Sequence, residues 1–562
     1  MGITPFSFRT LGVMLAVLAF SSSALAQADE KKDKDYLVLH GSIQSDILMP
    51  EVDNKIGTGT YKDDILTNTY AELTLASKHF EVGGRFEFLE HPLPGFENEF
   101  KGWGVPHIYA KYNSGKGVEV KIGDVYDQFG SGLIFRTYEE RSLGIDNAIR
   151  GGRVNISALK GVRFKALGGV QRRYWDWDTD SWVAGTDLEI DINQYSQKMR
   201  DNNVSWTIGG SYVLLNYEKN DQVVIPGTNY ELNLPSNVNA FDVRSSLTVG
   251  NYNILAEYAW RTQDPSFDNG YIYRRGSAVL LSASYSSKGV SALVQAKRSE
   301  NMSFRSNRSI TGISGFINNM PAFAYQHTYS LPALYPYATQ AAPGEWAFQG
   351  EFGYNFKRHT ALGGKYGTKM KLNIIHIRGL DKSPVEPVNG TLMGTDGYET
   401  CFFKTGELYY QDINVQMEKK LSKSFKLNLM YMNQKYNKTV IEGEGGMVKS
   451  NIAVAEGKYQ INKKFTLRSE LQYLWTNEDQ GDWAFGLVEL SALPYLMFTL
   501  SDMWNTGETN QHYYMGSVTA TYKAHRLMLG YGRTRAGYNC SGGVCRYVPA
   551  SKGVNISYNY TF

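Results

Sequence analysis

The chain has 562 residues, a formal net charge of +3 and a negative mean hydropathy, yet it carries 39 Tyr, 26 Phe and 10 Trp. So small a charge imbalance makes no electrostatic case for a nucleic-acid partner, and no later segment approaches the roughly 20 apolar residues of a membrane helix. Abundant glycine (56), scarce proline (16) and many aromatics fit a transmembrane β-barrel of an all-β class.

Residues 1–26 read as a secretory signal peptide. Arg9 supplies the basic charge, residues 11–20 the apolar stretch, and Ala24-Leu25-Ala26 the small-x-small cleavage motif. The apolar stretch is about half the length of a spanning helix, and no cysteine follows the motif, so neither a membrane helix nor a lipid anchor is expected there. A short charged periplasmic segment, 27–35, precedes the barrel, 36–562, whose first strand is expected at 36–48.

From there one unit repeats: about ten alternating residues, a short turn, a second run, then a longer polar loop. The first clear hairpin is 66–76, turn Ser77-Lys78, 79–89. In its second arm Phe80, Val82, Phe86 and Phe88 share one face, and Glu81, Arg85 and Glu87 the other. The pattern returns at 252–260, 425–431, 514–522 and 553–562. Short turns near residues 77, 114, 160, 202, 251, 288, 358, 422, 462, 494 and 524 alternate with long loops, the longest at 299–344. Soluble sandwiches and propellers use shorter strands; these have the length of tilted membrane strands. The count is about 24, within a range of 20–26, with both ends on the short-turn side.

One stretch, 123–153, breaks the alternation. It mixes Asp124, Asp127, Glu139, Glu140 and Asp146 with Arg136, Arg141, Arg150 and Arg153, punctuated by Gly130, Gly132, Gly144, Gly151 and Gly152 and by Phe129, Leu133, Ile134 and Phe135. A solvated loop has no use for those apolar residues, so the segment is expected to fold into the barrel and pair its charges there. Glu119, Lys121, Arg163 and Lys165 on adjoining strands are the expected wall partners, and Arg136, Arg141 and Arg150 facing Glu139, Glu140 and Asp146 would set a transverse field. Too few residues precede the first strand for an N-terminal plug domain, which argues against a TonB-dependent receptor.

The motif I-G-D-V-Y-D-Q-F-G-S-G-L-I-F-R-T-Y-E-E-R-S-L-G-I-D-N-A-I-R-G, residues 122–151, resembles a family of Bacteroidota outer-membrane barrels of unknown function. The ending G-Y-N-C-S-G-G-V-C-R-Y-V-P-A-S-K-G-V, 537–554, is similar to that family's ending. The resemblance implies fold and location, but no activity and no site residues.

Of three cysteines, Cys540 and Cys545 flank Ser-Gly-Gly-Val, a spacing that suits a disulfide in an exported protein; a metal pair is the rival. Cys401, in an expected loop 381–405, has no evident partner. The loop 174–182 packs Trp175, Trp177 and Trp182 among Asp176, Asp178 and Asp180, either as interface girdle residues or as a glycan platform. Residues 320–337 are apolar and nearly uncharged: a docking surface for another envelope protein, or a lid packed inward. The alternating final strand ending at Phe562 matches the signal read by barrel-assembly machinery. No nucleophile elbow or metal spacing survives inspection, and His327 and His512 stand alone, so neither an enzyme nor a cofactor is expected. The reading is an outer-membrane pore or transporter constricted by 123–153, or else an accessory barrel of an export or assembly complex.

Overall fold

The computed structural model describes residues 36–219 and 222–562. The expected signal peptide, 1–26, and the segment 27–35 lie outside the described residues. The compact unit Leu39–Phe562 forms one antiparallel sheet of 24 strands. Pairing of the first strand, Val38–Pro50, with the last, Ser551–Thr561, closes it. Closure satisfies every edge, which a β structure in lipid requires.

Alternation fixes the two faces. Along Phe80–Leu89, Phe80 and Val82 are exposed while Arg85 and Glu87 are buried; along Tyr252–Arg261, Ile254 and Tyr258 are exposed while Glu257 and Arg261 are buried. Apolar side chains on the outer face suit lipid, and polar ones on the inner face pair with one another. Exposed aromatics gather at both strand ends: Phe80, Tyr112, Tyr252, Tyr459 and Tyr522 beside the short turns, Trp103, Phe241, Trp475 and Trp504 at the other end. Phe465 and Trp475 close the two ends of one strand. Ten steps of about 3.3 Å, tilted, span roughly the 25 Å apolar band of such barrels.

At one end the connections are brief, as at 77–79, 250–251, 288–289 and 523–524. The turns at 192–203 and 357–367 are longer than expected, the former holding the short helix Gln197–Asp201. At the other end connections run to 126–148 and 301–344. The seam is fitted by a glycine: a Cβ at Gly41 would overlap the Phe562 ring, and the two residues exchange backbone hydrogen bonds of 3.0 and 2.9 Å.

Three expected loops take other forms. Residues 123–125 and 149–153 belong to the paired strands Val118–Val125 and Ile149–Ile156, with Val125 opposite Ile149, so the insertion proper is 126–148. Residues 176–182 extend the strand Asp176–Asp191, reached from Val162–Arg173 by a two-residue turn at Tyr174-Trp175. Residues 381–384 and 398–405 likewise lie on the long strands Thr368–Pro384 and Tyr398–Lys420, where Cys401 is exposed and unbonded. In each case polar composition resembled a loop, but ladder pairing continues through it.

Candidate functional site

The insertion 126–148 leaves one strand at Val125 and re-enters the next at Ile149. Between these it contacts buried-face side chains on widely separated strands. Toward Phe80–Leu89, Arg85 pairs with Glu87 at 2.7 Å, with Glu139 at 3.0 Å and with Asp146. Arg172 joins Glu87 at 3.0 Å and also holds Asp146, whose other oxygen accepts from the Tyr126 hydroxyl at 2.9 Å. Arg141 bridges Glu139 at 2.6 Å and Glu72, over the Tyr70 ring. Toward Tyr252–Arg261, the Ser131 amide and hydroxyl both donate to Glu257. Gly130, at φ +50°, permits that approach, since a Cβ there would lie 2.6 Å from the Glu257 carboxylate. Asp127 pairs with Lys165 at 2.8 Å and Arg153 at 3.2 Å.

Apolar residues complete the seating. Phe129, Leu133, Ile134 and Phe135 are at most 1% exposed and join one cluster with Val183, Val213, Leu215 and Ala240 of the barrel strands. Charges withdrawn from water are tolerable only when paired in this way.

The second insertion, 301–344, docks on the first. Arg136 donates its amide to the Ile317 carbonyl at 2.8 Å, Asn319 to Gly132 at 3.1 Å, and the Asn318 side chain to the Leu133 carbonyl at 2.8 Å. Its apolar residues Phe323, Leu331, Leu334, Tyr335 and Tyr337 are buried against Tyr410, Met430, Met432 and Tyr436. These five side chains of 320–337 are thus turned inward. Polar ties hold it as well: Arg305 pairs with Asp268 at 2.6 Å and Arg308 with Asp264 at 3.2 Å, His327 meets Asp412 at 2.7 Å, and the buried pair Lys297–Glu345, at 2.7 Å, takes the Tyr337 hydroxyl.

A hairpin, Gly537–Ser541 with Val544–Val548, touches both insertions. Cys540 and Cys545 face one another in its ladder and are disulfide-bonded. Ser541 donates to Glu140 at 3.2 Å, Arg546 to the Ser142 carbonyl at 3.1 Å, and the Thr339 amide to Gly543 at 2.9 Å.

Of the residues expected to line a constriction, Asp127, Glu139, Arg141, Asp146, Arg153 and Lys165 come together as described, with Glu119 beside Arg153. Others do not. Asp124 and Arg150 pair at 3.0 Å, but their strand phase is opposite to that of Lys121, Arg153, Val125 and Ile149, and Arg150 stacks on Trp177. Arg163 pairs with Glu189 and Asp191, both on the neighbouring strand. Lys121 lies over the Tyr109 ring, Arg136 over Tyr138, and Glu140 accepts from Ser142 and Ser541. The arginines are thus matched to carboxylates chiefly between insertion and wall, not across the insertion as a transverse field. Arg85, Arg172, Glu72, Glu87 and Glu257 were missed as partners. The polar phase of 80–89 marked Arg85 and Glu87 as inner-face residues, but sequence alone did not connect them to Asp146, 61 positions from Arg85.

The model of a family described only as a family of unknown function, DUF6029, matches residues 9–562. The chain belongs to that family. No curated protein matches it. Among solved structures, it is similar to the translocation pore of the P pilus usher PapC at 10% identity, covering 93% of this chain and 99% of that one, TM-score 0.41. It is similar to the siderophore receptor PirA from Pseudomonas aeruginosa at 10% identity, covering 95% and 81%, TM-score 0.38. OccAB2 of Acinetobacter baumannii also matches at 10% identity, covering 94% and 97%, TM-score 0.33. The barrel assignment rests on the strand pairing above, not on these likenesses.

Proposed function

We propose that this DUF6029 protein is a pore or transporter of the outer membrane, without enzymatic activity, whose passage is constricted by the insertions 126–148 and 301–344. The observation that carries the reading is the set of ion pairs and hydrogen bonds tying 126–148 to strands as far apart as Phe80–Leu89 and Tyr252–Arg261. A segment bound to several inner-face strands at once crosses the route a solute would take. The short turns would face the periplasm and the long connections the exterior, as in other outer-membrane barrels, in the Bacteroidota envelope that the motif resemblance implies. Assembly would use the last strand, whose Phe562 sits on Gly41 at the seam. Changing Tyr560 and Phe562 to Ala should lower the heat-modifiable species in outer-membrane fractions; unchanged amounts would remove that role.

The interlocking of two insertions favours a second reading, a sealed accessory barrel in an export or assembly complex. Single-channel recording in planar bilayers, with affinity capture from native membranes, separates them. A pore gives discrete openings from purified protein. A silent barrel that reproducibly co-purifies with an export component is an accessory subunit.

A further inference from the structure

Along six neighbouring strands, from Glu345–Phe356 to Phe465–Trp475, three short turns alternate with long connections. The turns are 357–367, 421–424 and 461–464. With the strand ends beside them, 357–371 holds five Lys and Arg, 419–426 four and 458–464 three, and none of these stretches contains Asp or Glu. The long connections of the same strands carry the opposite sign. Residues 385–397 and 476–482 hold five carboxylates and no Lys or Arg, and 438–446 holds two against Lys438 alone.

Little at the turn end answers this charge. Glu418 takes both Lys369, at 3.2 Å, and Lys426, at 2.7 Å, and Lys371 pairs with Glu351 at 2.9 Å. Lys365 and Lys420 sit over the Tyr366 ring, and Lys419 donates to the Leu362 carbonyl at 3.4 Å. Lys357, Arg358, Lys423, Lys463 and Lys464 are exposed and form no salt bridge among the described residues. Each turn also displays an aliphatic side chain: Leu362, Leu421 and Ile461 are 62%, 49% and 49% exposed. Tyr459 and Phe465, both exposed, flank the last turn. Exposed aliphatic groups beside unpaired bases suit neither bulk water nor the lipid interior. They suit the boundary between the two, where apolar groups enter the acyl region and ammonium groups reach lipid phosphates.

We propose that these three turns form a docking surface for the headgroups of anionic phospholipids in the leaflet they face. The unpaired bases meet the lipid phosphates, and Leu362, Leu421 and Ile461 enter the leaflet beside them. A soluble anion would use the bases but leave the aliphatic side chains in water. A zwitterionic lipid would accept the aliphatic side chains but leave the surplus positive charge unanswered. The surface requires a membrane-embedded barrel and stands whether or not that barrel conducts.

The test is electron spin resonance of the full barrel in phosphatidylcholine vesicles doped with spin-labelled phosphatidylglycerol or, for comparison, spin-labelled phosphatidylcholine. The motionally restricted fraction reads the lipid held at the barrel wall. Phosphatidylglycerol should be favoured about fivefold, and the preference should fall toward unity as NaCl rises. Combining Lys357→Gln, Arg358→Gln, Lys423→Gln, Lys463→Gln and Lys464→Gln should abolish it. Lys116→Gln, Lys160→Gln and Lys288→Gln together, in other short turns, should leave most of it. Should the fivefold variant fail to assemble, as judged by loss of heat-modifiability, the triple variant at 423, 463 and 464 and the salt series decide. Equal restriction of the two lipids, a preference that salt does not move, or one that survives the substitutions would overturn the proposal. So would displacement of the labelled lipid by inorganic phosphate beyond the effect of NaCl at the same ionic strength, which would mark a soluble-anion site.

Discussion

The insertion 126–148 and the stretch 320–337 of the second insertion are held against one barrel by different balances of chemistry. The insertion 126–148 is tied down by charge, through Arg85, Arg141 and Arg172 against Glu72, Glu87, Glu139 and Asp146. The stretch 320–337 of the other is tied down by apolar and aromatic burial, with Leu331 fully enclosed and Tyr335 and Tyr337 packed on Tyr436 and Tyr410. Apolar packing yields gradually as side chains are trimmed, whereas a buried ion network fails when one member is lost, because its partners are left uncompensated. On that contrast, 126–148 is the element that could be released as a unit, and 301–344 the fixed frame it rests on.

The largest expected effect comes from removing the charged insertion altogether. Val125 and Ile149 are ladder partners, so residues 126–148 can be replaced by an Asn-Gly turn without moving either strand. If the barrel is a pore, its unitary conductance should rise several-fold with an unchanged heat-modifiable fold. Unchanged permeability would break the contrast at its root.

Next in size is Arg85→Leu, which strands Glu87 and Asp146 with Arg172 alone. Breaking such a buried network costs about 3–5 kcal/mol. Hydrogen exchange should show 126–148 losing protection as one block while 320–337 stays protected. Loss spread equally over both insertions would mean that they are a single cooperative unit.

Leu331→Ala should cost about 2–4 kcal/mol through the cavity it leaves, and the effect should stay local. Proteolysis near 320–337 should increase, with conductance close to that of the unmodified barrel. A gain matching that of the deletion would reverse the roles assigned to the two insertions.

The same contrast governs what the sequence revealed. Strand alternation at 66–89 and 252–260, the short turns and the even count were legible because period two survives in every lipid-facing run. The segment 123–153 stood out because charges and glycines interrupt that period, and strand phase marked Lys165 as a wall partner for its charges. Residues 320–337 were ambiguous because an apolar, uncharged loop looks alike whether buried or displayed. Arg163 found other carboxylates because phase fixes a face and not the nearest partner, whereas Asp124 and Arg150 looked like loop residues but lie on paired strands, in the phase opposite to Lys121 and Arg153. The partnerships of Arg85 and Arg172 with Asp146 needed the closed barrel, which brings together residues far apart in the chain.

That 126–148 lies inside the barrel and reaches wall strands on either side of its own is tested most directly at Ser131, whose amide and hydroxyl donate to Glu257. In a Cys401→Ser background, Ser131→Cys and Glu257→Cys can be combined and treated with a short bis-thiol reagent. The account expects near-complete internal cross-linking in the assembled, heat-modifiable barrel, with conductance held at its low value. Two thiols that label independently in a folded barrel, with no cross-link, would contradict it.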